Sequence, residues 1–114
     1  MTYQAFSNLW RDAAEASDFD RYVAERGWQS WMDAYADQGD SAVLTALTRV
    51  WEMARGGVRA IRAQLGISQV AFAAAFRVPR RSVENWESGA SSPPTYLPML
   101  LGYAVFSILE ERSS

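Results

Sequence analysis

No cysteine, no histidine and no lysine occurs in this 114-residue chain. Without Cys there is neither a disulfide nor a thiol nucleophile, and without Cys and His the commonest zinc ligands are gone. No glycine-rich phosphate loop and no carboxylate pair in an evident cleft offsets these losses, so no enzyme, no metal site and no cofactor is expected. The lack of lysine speaks to codon preference and not to function. Long apolar runs are missing as well: no stretch reaches ~18 uninterrupted apolar residues, so no membrane span is expected. The first residues hold no charged segment followed by an apolar run, so no signal peptide is expected either, and the expected location is cytoplasmic.

What is present is enough for a core. With 49% hydrophobic residues and five Trp, the chain is one ordinary domain or two very small ones. Its net charge of −2 argues by itself against a nucleic-acid partner, but the charge is segregated. Residues 1–54 carry four Arg against nine acids, net −5, and residues 55–114 carry seven Arg against four acids, net +3.

Along the chain the apolar spacing is helical throughout. Thr2 can cap a first helix whose apolar face is Tyr3, Phe6, Leu9, Trp10, Ala13 and Ala14, and Ser17-Asp18 can cap a second with the face Phe19, Tyr22 and Val23. Gly27 breaks or bends that segment, and Trp28, Trp31, Met32 and Tyr35 form an aromatic stripe expected in the core. The stretch from Gln38 to Ser41, with the Gln38-Gly39-Asp40 turn, is the best boundary, giving an N-terminal helical segment, 1–40, and a second segment, 41–114. From there Leu44, Leu47, Trp51, Ala54, Val58, Ile61 and Leu65 make one stripe that keeps phase through Gly56-Gly57. Two glycines in a helix interior cost roughly 1 kcal/mol each relative to Ala, so a break or kink is expected there, although one long helix fits the stripe too.

Ser68 to Gly89 reads as two short helices and a tight turn. Ser68 is a good N-cap, and Phe72, Ala73 and Phe76 supply an inward face. Arg77-Val78 is the turn, and Pro79 suits the first position of the next helix because it needs no donor. Val83 and Trp86 then mark a buried face, Arg80, Arg81, Ser82, Glu84 and Asn85 point elsewhere, and Gly89 offers a stop. After the loop 90–94, Thr95 to Glu111 reads as a final helix with Pro98 in its first turn and almost no polar face. Such a helix needs cover on more than one side, from the N-terminal helices or from a second subunit.

The run from about Arg59 to Leu109 resembles the phage-repressor/Cro type of helix-turn-helix, the XRE family, through Ser68-Gln69 at the opening of the second helix and Trp86-Glu87-Ser88-Gly89 at the close of the recognition helix. Where that family commonly has a turn glycine this chain has Arg77, and where it commonly has a Ser or Thr cap this chain has Pro79. The helical spacing along the chain, with the Leu44 to Leu65 stripe, leads to the expectation of an all-α protein of about six helices, the N-terminal helical segment packed on a C-terminal part that the resemblance makes a lambda-repressor-like helix-turn-helix. The resemblance implies a DNA-facing set of Ser68, Gln69, Arg80, Arg81, Ser82, Asn85 and Ser88. In that set Arg80, Arg81 and Asn85 read base edges, and Gln69 and nearby amides hold phosphates. It also implies an internal ion pair between Arg62 and Glu87. The expected function is a sequence-specific DNA-binding regulator, a repressor acting as a homodimer on double-stranded DNA. The alternative is a partner-binding protein, such as the antitoxin of a toxin-antitoxin pair, that grips a protein through its acidic, Trp-rich N-terminal half.

Overall fold

The computed structural model describes residues 1–113, and among them the chain is all helical: six α-helices and one 3-10 helix, with no strand. The elements are α1 (Tyr3–Glu15), α2 (Phe19–Ala24), a 3-10 helix (Ser30–Gln38), α3 (Asp40–Leu65), α4 (Gln69–Phe76), α5 (Arg80–Ser88) and α6 (Leu97–Ser113). The all-α expectation holds. The chain divides into two compact units, Met1–Arg55 and Gly56–Ser114, with 41–55 in the first.

The division has a backbone cause at Gly57, whose φ of 72° and ψ of −160° lie outside the helical region in the middle of α3. That combination is open essentially to glycine alone. The expected break is therefore real, and the continuous stripe is not. In 41–55 the buried side chains are Ala46, Leu47, Val50 and Met53, while Leu44 is 46% exposed and Trp51 and Ala54 are half-buried. The buried face is rotated by about one residue from the Leu44-Leu47-Trp51-Ala54 stripe and shares Leu47 with it, since Ala46, Val50 and Met53 obey the same 3.6-residue period.

In the first unit the caps fall where the short polar residues predict. Thr2 Oγ1 accepts from the Ala5 amide at 3.2 Å and Asp18 Oδ1 from the Arg21 amide at 2.8 Å. Phe6, Leu9, Ala13, Tyr22, Trp31 and Met32 are buried. Trp51 receives Phe19 edge-on at 5.5 Å and Tyr22 at 5.2 Å. The Arg55 guanidinium lies over its ring at 4.4 Å and donates to the carbonyls of Ala13 and Ala16, tying the end of α1 to α3. One residue of the expected aromatic core is misassigned: Trp28 is 64% exposed, and its indole donates to Asp33 at 2.8 Å. The segment between α2 and the 3-10 helix is not helical, so the spacing that aligned Trp28 with Trp31 does not operate.

In the second unit Val58, Ile61, Phe72, Ala73, Val83, Leu101, Val105 and Phe106 are buried. Helix α6 starts at Leu97, two residues later than expected, with Pro98 in its first turn.

Candidate nucleic-acid interface

Helix α4 begins at Gln69 behind Ser68, whose Oγ accepts from the Ala71 amide at 3.1 Å. It ends at Arg77, which caps the helix in the left-handed region at φ 56° and ψ 38°, its amide donating to the Ala73 carbonyl. The Val78 amide donates to the same carbonyl at 3.0 Å, so the two amides that close the helix share one acceptor. Pro79 follows as the N-cap of α5 and not as its first helical residue, with ψ at 134°. At either position proline forfeits no donor; as N-cap its extended ψ leaves its carbonyl to accept from Ser82 and Val83. Proline has no capping side chain, so the first amides of α5 stay available.

The side chains of α5 divide as the spacing predicts, with one exception. Val83 is fully buried; Trp86, expected beside it, is only half-buried. Arg80 and Arg81 are exposed at the start of the helix, and Ser82 and Asn85 are half-buried. Arg80 is not free, since its Nε donates to Glu84 at 2.8 Å one turn along the same helix. Among the described residues neither Arg77 nor Arg81 has an acidic partner. At the far end Ser88 donates its hydroxyl to the Asn85 carbonyl and accepts from the Ala90 amide, so it serves the close of the helix.

Beneath this surface sits one ionic cluster. Glu87, with its side chain 1% exposed, receives two bonds of 2.7 Å from Arg62, and Arg62 also donates to the Ile67 carbonyl at 2.8 Å. Arg59 reaches the same carboxylate at 3.5 Å. Gln69 hydrogen-bonds to Glu87 too, which the family resemblance did not imply for this residue. These bonds, that of Arg62 foremost, hold the Glu87 carboxyl below its ordinary range against the opposing effect of burial, and Glu87 raises Arg62 in turn. The cluster fixes α5 to α4 and to the last turns of α3. Arg59 was legible in advance: it lies three residues before Arg62 on one helix face. Arg77 stands on the turn, Arg80, Arg81 and Ser82 at the start of α5 and Asn85 one turn further on, while Ser68 and Gln69 open α4 and Ser88 lies at the end of α5.

No curated protein and no solved structure matches the chain. Residues 58–96, from the second part of α3 through α4, the turn and α5 to Tyr96, match the family model described as Helix-turn-helix. Residues 58–96 are therefore similar to the XRE type of helix-turn-helix, and the α4-turn-α5 geometry agrees with that match.

Proposed function

We propose that this protein is a sequence-specific transcriptional regulator, a cytoplasmic repressor that acts as a homodimer on a two-fold related site in double-stranded DNA. The observation that carries the reading is the start of α5, where exposed arginines and uncapped amides stand at the open end of a helix anchored by Val83 and Glu87. In the mechanism α5 enters the major groove by this end. Arg81 offers two donors to the O6 and N7 acceptors of guanine, and Arg80 does the same once it leaves Glu84. Asn85 suits the donor and acceptor of adenine. Ser68, Gln69, Ser82 and the first amides of α5 hold phosphates, which set register without reading sequence. Ser88, at the end of the helix, adds a backbone contact. No catalytic role is assigned to any residue.

Selection of genomic fragments with the purified protein, followed by sequencing, tests the proposal. An enriched inverted repeat is the expected result, and an absence of preference among fragments would overturn it. Sedimentation is expected to give a dimer at micromolar concentration; a monomer would confine dimerisation to DNA.

A second reading, the partner-binding antitoxin, is favoured by the first unit. It is acidic, and it exposes Tyr3, Trp28 and Leu44. If the protein shifts its upstream DNA only with a co-expressed neighbour, this reading replaces the first.

A further inference from the structure

Five residues have a positive φ among those described, and four of them are glycines: Gly39, Gly57, Gly66 and Gly89. The fifth is Arg77. The left-handed region crowds the Cβ of any L-residue, so glycine is the least costly choice wherever φ is positive, and every other such position among the described residues is a glycine. The fold gives Arg77 nothing in return for its side chain: it is exposed, and among the described residues its guanidinium has no acidic partner. Its position is specific. Two Cα steps separate it from Pro79, so its backbone lies within about 7.6 Å of the N-cap of α5, beside the uncapped amides and the exposed arginines.

We propose that Arg77 is a ligand for the phosphodiester backbone of DNA, kept in a strained turn because its charge is used on the bound duplex. The inference rests on the DNA-binding reading and adds to it a residue outside the implied DNA-facing set. A guanidinium on the turn flanks the helix that enters the groove, where the strand's phosphates pass and base edges are out of reach. Its contact would be independent of sequence and sensitive to salt.

The test compares the unmutated protein with Arg77→Gly and Arg77→Lys, by thermal melting and by affinity at several salt concentrations on a selected site and a scrambled one. Arg77→Gly is expected to melt no lower than the parent, since glycine relieves the strained φ. It is expected to bind both DNAs more weakly by a similar factor, on the order of three- to tenfold, with the salt slope reduced by about 0.9. Arg77→Lys is expected to keep the parent's slope. An unchanged affinity and slope in Arg77→Gly would overturn the inference while leaving the regulator reading intact. A loss confined to the selected site would overturn it as well, by making Arg77 a reader of sequence. A parent that binds neither DNA would remove the regulator reading itself, and the inference with it.

Discussion

Arg62 and Glu87 meet through two parallel hydrogen bonds, Nε to Oε2 and Nη2 to Oε1, each 2.7 Å long, across 25 residues of sequence. The two ends of the pair are unequally buried, the Arg62 side chain being 22% exposed and that of Glu87 1%. Removing the arginine leaves the interior carboxylate with Gln69 and the more distant, exposed Arg59, whereas removing the carboxylate leaves a partly exposed guanidinium that still has the Ile67 carbonyl. Arg62→Ala is therefore expected to cost about 3 kcal/mol and Glu87→Ala about 2 kcal/mol. Urea melts of both variants measure the difference; equal and negligible shifts in midpoint would mean that the pair contributes no net stability.

The same pair sets the acid limb of stability. Because the folded state holds the Glu87 carboxyl below its ordinary value of 4.5, its contribution is complete above that pH and is lost as pH falls through the folded value. Glu87→Gln is expected to be less stable than the parent near neutrality and to converge on it only as pH falls through the lowered folded value of the Glu87 carboxyl. Melting temperatures between pH 3 and pH 7, both chosen on the order of the carboxylate range, would show parallel curves if another carboxylate carried the effect.

Tyr22 carries a buried hydroxyl with no hydrogen-bond partner among the described residues. Its ring is in use, packing on Trp51 and under the Arg26 guanidinium at 4.8 Å, but its oxygen is not. Tyr22→Phe should be neutral or stabilising by up to about 1 kcal/mol. Burial pushes the phenol well above its ordinary 10.0, outweighing the opposing pull of Arg26. Its stability contribution is thus full below that value and fades as pH rises through the folded one, so the phenylalanine variant should resist alkaline melting better. A clear destabilisation at neutral pH would reveal a partner for the hydroxyl.

At Gly57, φ and ψ together admit glycine alone, although a Cβ would find open space. Gly57→Ala is expected to cost about 1–3 kcal/mol through backbone strain. Gly27 is the control, with equal open space and no positive φ, and Gly27→Ala should leave the melting temperature nearly unchanged. Equal behaviour of the two variants would show that Gly57 leaves its glycine-only conformation at little cost.

The Arg80–Glu84 pair makes a prediction about affinity. If Arg80 leaves Glu84 to meet DNA, Glu84→Gln should bind several-fold tighter, since it frees the arginine and removes a like charge from the approaching phosphates. Arg81→Ala and Asn85→Ala should each lose about 1–3 kcal/mol on a selected site and little on a scrambled one. Gel shifts on the two duplexes separate these effects. Equal losses on both would reduce α5 to a backbone clamp, and no gain from Glu84→Gln would leave Arg80 outside the interface.

The sequence by itself determined the helices and their ends, because those depend on neighbours. Thr2, Asp18 and Ser68 cap where short side chains reach the amide three residues on, and Gly57 and Gly89 interrupt or end helices because only glycine is cheap there. It also determined the turn between α4 and α5 and the exposed arginines that follow it. Tertiary structure decided what periodicity leaves open. A 3.6-residue repeat fits two adjacent faces almost equally well, so only packing could select Ala46, Val50 and Met53 over Leu44. Exposure of Trp28 followed from a nonhelical stretch that breaks the spacing. The bond between Gln69 and Glu87 joins residues far apart in sequence that no spacing pairs, and the left-handed backbone of Arg77 is a conformation that composition alone would assign to glycine.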